Sequence, residues 1–151
     1  NHLLDPLMVP SVVYSSKLDK HFLEKGNVLV LAKGHNGFSA HCYQGIKYPA
    51  VASSIFMVLR NIKSNILPEY LAWYINLRST QEILTSCGRG SALPAINKKI
   101  LEGLDIELTD LKSQEQIVAL DKLKKRELKL ILKLESLKDV KFEYQLKSKI
   151  Q

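Results

Sequence analysis

Ser113-Gln114-Glu115-Gln116-Ile117-Val118-Ala119-Leu120-Asp121-Lys122-Leu123-Lys124-Lys125-Arg126-Glu127-Leu128-Lys129-Leu130 opens a run to Gln151 that contains neither glycine nor proline. Its first four residues form a capping box, in which the first and fourth side chains each satisfy a backbone donor of the other. The residues that follow are rich in Leu, Lys and Glu, all good helix formers. One long helix is expected over residues 113–151, within a C-terminal unit spanning 111–151. If every residue is helical it measures about 58 Å at ~1.5 Å per residue. Leu120, Leu123, Leu130, Leu134, Leu137 and Tyr144 fall on a and d positions of a heptad frame interrupted by Glu127 and Lys141. Ile117 and Ile131 flank this stripe. A helix longer than its own domain is wide must overhang it, so the stripe is expected to pair with a second helix.

Charge is concentrated in the same region. The chain carries 22 Lys/Arg against 15 Asp/Glu, a formal net charge of +7. Residues 111–151 hold eleven of the cations and six of the acids, and residues 1–110 hold eleven and nine. A basic balance favours a polyanionic partner, because Lys and Arg release counterions when they neutralise phosphates. A solvated helix face would produce the same excess, so charge alone does not name the partner.

The region upstream of residue 111 reads differently. Val28-Leu29-Val30-Leu31 and Ile55-Phe56-Met57-Val58-Leu59 are short apolar runs bounded by Gly26, Gly34, Gly37, Gly45 and Pro49, which marks strands. Pro68 then sits at a plausible first helical position, with Leu67, Leu71, Tyr74 and Ile75 at helical spacing. Ser79-Thr80-Gln81-Glu82 has the form of a second capping box and opens a helix to Ser86. Gly88, Gly90 and Pro94 break regular structure. Asn97 is placed to cap one turn ending at Gly103, and Leu104 to Leu108 alternates apolar and acidic residues like a half-exposed strand. The fold class is α+β: a small irregular mixed β-sheet domain with short helices over residues 1–110, followed by one long C-terminal helix. No repeat or low-complexity segment interrupts this plan.

Several classes of function find no support. A hydrophobic fraction of 46% and a charged fraction of 25% are ordinary for a globular protein. No apolar run approaches the roughly 18 residues of a membrane helix, and no basic-plus-apolar leader opens the chain at Asn1, so a soluble cytoplasmic protein without a membrane role is expected. Cys42 and Cys87 are too few for a disulfide framework and are expected to be reduced. His2, His21, His35 and His41 match no zinc-site spacing, and no metal is expected. Neither cysteine sits in a recognisable nucleophile context. Gly88-Arg89-Gly90-Ser91 lacks both the third glycine of a dinucleotide loop and the Gly-Lys-Ser/Thr ending of a phosphate-binding loop. No catalytic residue is assigned. What remains is a binding pattern: Lys33, His35, Asn36 and Gln44 in glycine-punctuated loops, with Arg89 and Ser91 in a second loop. Lys and Arg suit phosphates, and Arg, Asn and Gln suit base edges.

The order of these features resembles the specificity subunits of type I restriction-modification systems. Gly26-Asn27-Val28-Leu29-Val30 is similar to that family's G-D-I-L-V strand, and Lys33-Gly34-His35-Asn36-Gly37 to the basic loop after it. Leu67-Pro68-Glu69-Tyr70-Leu71-Ala72-Trp73-Tyr74-Ile75-Asn76 resembles its P-E-Y-L-x-Y-x-L-N helix. Gly90-Ser91-Ala92-Leu93-Pro94-Ala95-Ile96 resembles its G-S-x-x-P-x-I loop. The stretch from Leu104 to Ile117 resembles the L-x-I-P-L-P-P-L-x-E-Q-x-x-I segment that enters its long helix. Here Glu107, Thr109 and Asp110 replace the usual prolines, and Asn27 stands where Asp is usual. Family members carry two recognition domains and two long helices, so one of each makes this chain resemble a half-subunit or a fragment.

The resemblance implies a non-catalytic subunit that reads half of a bipartite double-stranded DNA target. It also implies docking of the methyltransferase subunit and, through it, the restriction subunit. S-adenosylmethionine, ATP and Mg would then reside on those partners, with no cofactor in this chain. A homodimer through the long helix is expected. The alternative is a coiled-coil scaffold without a DNA role, which salt-dependent binding to DNA would separate from the first reading.

Overall fold

The computed structural model describes residues 15–35, 37–88 and 94–149. Three strands form one sheet: β1 (Val28–Leu31), β2 (Ala40–Cys42) and β3 (Phe56–Leu59), in the order β2-β1-β3. Both pairings are antiparallel, with Val28 opposite Cys42 on one side and Leu59 on the other. A short 3₁₀ turn at Ser16–His21 precedes the sheet, and four helices follow it: α1 (Pro68–Ile75), α2 (Arg78–Cys87), α3 (Lys98–Glu102) and α4 (Leu111–Lys147). The expected α+β architecture, with a compact head and a long C-terminal helix, is therefore present.

Alternation along the central strand explains the core. Val28 and Val30 point to one face of β1 and are fully buried, together with Ala40 of β2. Leu71, Ala72 and Ile75 of α1 pack on this face with Phe38, Leu84 and Ile96, while Met57 and Leu59 of β3 close it partly. The apolar spacing read from Pro68 onward thus marks the buried side of α1, whose first residue is the proline.

Half-buried amide side chains complete what the short strands leave open. Asn76, just past α1, accepts the Ala40 N–H at 2.9 Å and donates to the Ala40 carbonyl at 2.7 Å. It occupies the outer edge of β2 as a neighbouring strand would. Gln81 accepts from the Phe38 N–H at 2.9 Å and donates to the carbonyls of Phe38 and Ile75. That clamp passes beside Gly37, whose φ of +84° favours glycine and where a Cβ would lie 2.9 Å from Gln81 Oε1.

Helix α4 is fastened at its first turns. Gln114 is fully buried. Its Oε1 accepts the Leu67 N–H at 2.8 Å, and its Nε2 donates to the carbonyls of Asn65 at 2.9 Å and Thr109 at 2.8 Å. The Tyr70 hydroxyl donates to the Glu107 carbonyl at 2.7 Å, holding the entry segment on α1. Val118, one turn further, is buried as well.

Three local expectations need correction. α4 begins at Leu111, not with a Ser113 cap: the Asp110 carboxylate accepts the Ser113 N–H at 3.0 Å and the Ser113 hydroxyl at 2.6 Å. A carboxylate is favoured at the positive end of a helix, and these bonds hold the Asp110 carboxyl below its ordinary range. α2 begins at Arg78, so Ser79 already lies inside it, and Glu82 pairs with Arg78 at 2.9 Å instead of reaching back to a cap. Residues 104–108 form no strand; Leu104 and Ile106 pack against the core without a ladder. The Asn97 cap and the Gly103 terminus stand as expected, with the Asn97 side chain accepting the Ile100 N–H at 3.0 Å.

The Gln114 clasp yields a stability prediction. Gln114→Ala orphans the Leu67 N–H and opens a void, and should lower unfolding free energy by about 2–4 kcal/mol in denaturant titrations. Gln114→Glu tests the donor side, since a carboxylate cannot donate to Asn65 and Thr109. Burial against two carbonyls raises its folded pKa, so its deficit relative to the native chain should be smallest below about pH 4.3 and grow as pH rises.

Candidate nucleic-acid interface

At the C-terminal end of β1, the loop that follows it meets the segment that enters α3. Lys33 forms an isolated antiparallel bridge with Ala95, the Gly34 N–H donates to the Pro94 carbonyl at 3.1 Å, and the Ile96 N–H donates to Ala32 at 2.9 Å. These bonds join the basic loop after β1 to the segment that enters α3. Lys33 and His35 are exposed there. Asn36, Arg89 and Ser91 lie outside the described residues.

Gln44 sits elsewhere. β2 runs antiparallel to β1, so Gln44 follows Cys42 at the end where β1 begins. Its amide donates to the Cys42 carbonyl at 3.4 Å, to Cys42 Sγ at 3.3 Å and to Glu69 Oε1 at 3.4 Å. The structure therefore brings Lys33 and His35 together and leaves Gln44 at the opposite end of the sheet, engaged with its own chain. Gln114, Asn76 and Gln81, which position the head and its rod, were not singled out from sequence. Asn76 and Gln114 do coincide with the Asn that closes the P-E-Y-L-x-Y-x-L-N motif and the Gln of the L-x-E-Q-x-x-I motif, whereas Gln81 carried no such signal.

The neighbouring His41 and Cys42 show why this surface is poor at nucleophilic chemistry. Burial, with help from the Lys125 ammonium, lowers the His41 pKa. Burial followed by the Glu69 carboxylate pushes the Cys42 thiol up to about 11. A thiolate-imidazolium pair requires both shifts in the opposite direction. Among the described residues, no three His, Cys, Asp or Glu side chains gather where they could share a metal ion.

The partner-helix residues divide clearly. Ile117 is half-buried next to the clasp. Beyond it, Leu120, Leu123, Leu130, Ile131, Leu134, Leu137 and Tyr144 are all exposed, from 49% at Ile131 to 76% at Tyr144. Every described residue from 122 to 149 is exposed. About 26 helical residues, or ~39 Å, thus extend without cover from the head. Among the described residues no helix is long and apolar enough to cross a membrane.

The described residues thus form a compact head from which an apolar-striped helix projects. A family model, the type I restriction modification DNA specificity domain, matches residues 11–136, most of the chain, and the chain belongs to that family. Its role is accordingly DNA sequence specificity in a type I restriction-modification system. A comparison with curated proteins found no match.

Thiol chemistry offers a check on the surface. Burial and the Glu69 carboxylate keep the Cys42 thiol protonated and therefore a poor nucleophile at mildly alkaline pH. Cys87 is exposed. Iodoacetamide should therefore alkylate Cys87 first in the native chain, with Cys42 following only on denaturation, as peptide mass spectrometry would show.

Proposed function

We propose that the chain is a non-catalytic recognition half-subunit, in which the head reads one part of a bipartite duplex and α4 assembles the complex. The uncovered apolar stripe of α4 carries this reading. Twelve large apolar side chains between Leu120 and Leu146 are exposed. Apolar exposure of that extent is rare on a protein that functions alone. Two copies pair antiparallel through Leu120, Leu123, Leu130, Leu134, Leu137 and Tyr144, placing one head at each end of the rod. The methyltransferase subunit docks on the same rod and brings the restriction subunit with it. S-adenosylmethionine, ATP and Mg belong to those subunits, and the complex works in the cytoplasm.

DNA contact comes from Lys33 and His35, with Asn36, Gln44, Arg89 and Ser91 as further candidates. A 37-residue helix spans about 56 Å. The two heads are then separated by less than two turns of B-DNA at about 34 Å each, and helix length sets the spacer of a split palindrome.

Light scattering on the purified chain should give twice the mass of one chain. Leu130→Glu with Leu134→Glu should give a monomer with unchanged head stability, because both side chains are exposed in the single chain. Removing one heptad keeps the stripe in register and shortens the rod by ~10.5 Å. The spacer selected from a randomised duplex pool should fall by about three base pairs. A native chain that stays monomeric at high concentration, or a spacer that ignores the deletion, would overturn the proposal.

A further inference from the structure

A second cationic surface lies on the outer face of β3. Successive residues of β3 alternate between faces, so Met57 and Leu59 turn toward the core while Phe56 and Val58, with Arg60 beyond them, line the outer face. A groove of about 400 Å³ runs along that face. One wall is the 3₁₀ turn, through Lys20 and His21, and the other is the segment that carries Ser53 and Ser54.

The walls are held in place by backbone pairing. Phe22 bridges Val51, and the Leu23 N–H donates to the Ala50 carbonyl at 2.8 Å. The floor belongs to the central sheet, so the cations ride on ordered backbone. None of the residues lining the groove is acidic. Neither Lys20 nor Arg60 is in an ion pair among the described residues. Elsewhere on the surface, lysines such as Lys98, Lys125 and Lys138 are paired with carboxylates on their own helices.

One end of the groove lies at the end of β1 that Lys33 follows: Leu31 pairs with Phe56, and the Ala32 N–H donates to the Ile55 carbonyl at 2.7 Å. Between Phe56 and Arg60 the floor extends ~13 Å at ~3.3 Å per residue. Cations outside any ion pair among the described residues, hydroxyl donors and no carboxylate in the lining match consecutive backbone phosphates of a nucleic-acid strand.

We propose that this groove, through Lys20 and Arg60 with His21, Ser53 and Ser54 beside them, holds the phosphate backbone of the bound duplex. It thereby fixes the register in which the Lys33 loop meets the bases. The inference rests on the DNA-binding reading of the chain and assigns the residues that position the duplex, as distinct from those that read it.

The test is the salt dependence of binding to a mixed-sequence 30-base-pair duplex, for the native chain and for Lys20→Ala with Arg60→Ala. Each phosphate contact contributes about 0.9 to the slope of log K against log salt, so the double variant should lose about 1.8. A control that removes two exposed cations of α4, Lys129→Ala with Lys133→Ala, should retain the native slope. Both changes lie at exposed positions, and unaltered thermal unfolding verifies the fold.

If the native chain binds the duplex with its ordinary slope and the groove variant matches it, the groove assignment is wrong while the DNA reading stands. Equal losses in the groove variant and the control would reduce the effect to net charge and also overturn the assignment. A native chain that binds no duplex at low salt would sink both. Displacement of the duplex by millimolar inorganic phosphate at constant ionic strength would identify a small-anion site in place of a DNA track.

Discussion

One buried amide links the two parts of the molecule. Gln114 enters the head from the first turn of α4 and satisfies one N–H and two carbonyls that the turn before α1 and the entry to α4 leave exposed to each other. A buried polar group of this kind is costly to leave unpaired, so the geometry that satisfies all three at once is strongly preferred. That preference sets the direction in which a helix of 37 residues leaves the head. The Tyr70 hydroxyl and buried Val118 reinforce it from either side.

The departures of this chain from its family become intelligible at that junction. Residues 107 and 109 contribute backbone carbonyls to the contacts with Tyr70 and Gln114, and any residue supplies a carbonyl. Asp110, where the family has proline, exchanges a rigid backbone for a carboxylate that caps α4 through Ser113. Asn27 is similar: its Oδ1 accepts the Glu24 N–H at 3.0 Å, an acceptor role that Asp performs equally well. The substitutions preserve the bonds the junction requires while changing the side chains around them.

Head and rod are stabilised by different means. In the head, strands of three or four residues are too short to be stable alone, and α1, Asn76 and Gln81 cover what they expose. In the rod, helix propensity and exposed ion pairs such as Lys125 with Asp121 are each weak, and residues 122–149 are exposed, without a tertiary cover among the described residues. Partner contacts would supply that cover. The division suits the proposed assembly, in which the head holds its loops in place and the rod joins other chains.

Local chemistry was legible in the amino-acid order. The glycine-free, leucine-rich run announced α4, the β-branched runs announced β1 and β3, and Pro68 and Asn97 marked helix starts, because each of these signals acts through neighbours in the chain. Residues 104–108 show the limit of such signals: alternation marked Leu104 and Ile106, which pack on the core, but also Leu108, which is exposed, and it did not say whether a strand partner exists. Long-range pairing lay beyond the sequence. That Asn76 closes the edge of β2, that Gln114 clasps α4, that Gln44 sits apart from Lys33, and that Lys20 and Arg60 share a groove with no acid all depend on residues distant in the chain. Only the closed sheet and its packed helices bring such groups within hydrogen-bonding or Coulombic reach, and that proximity is a property of the tertiary fold.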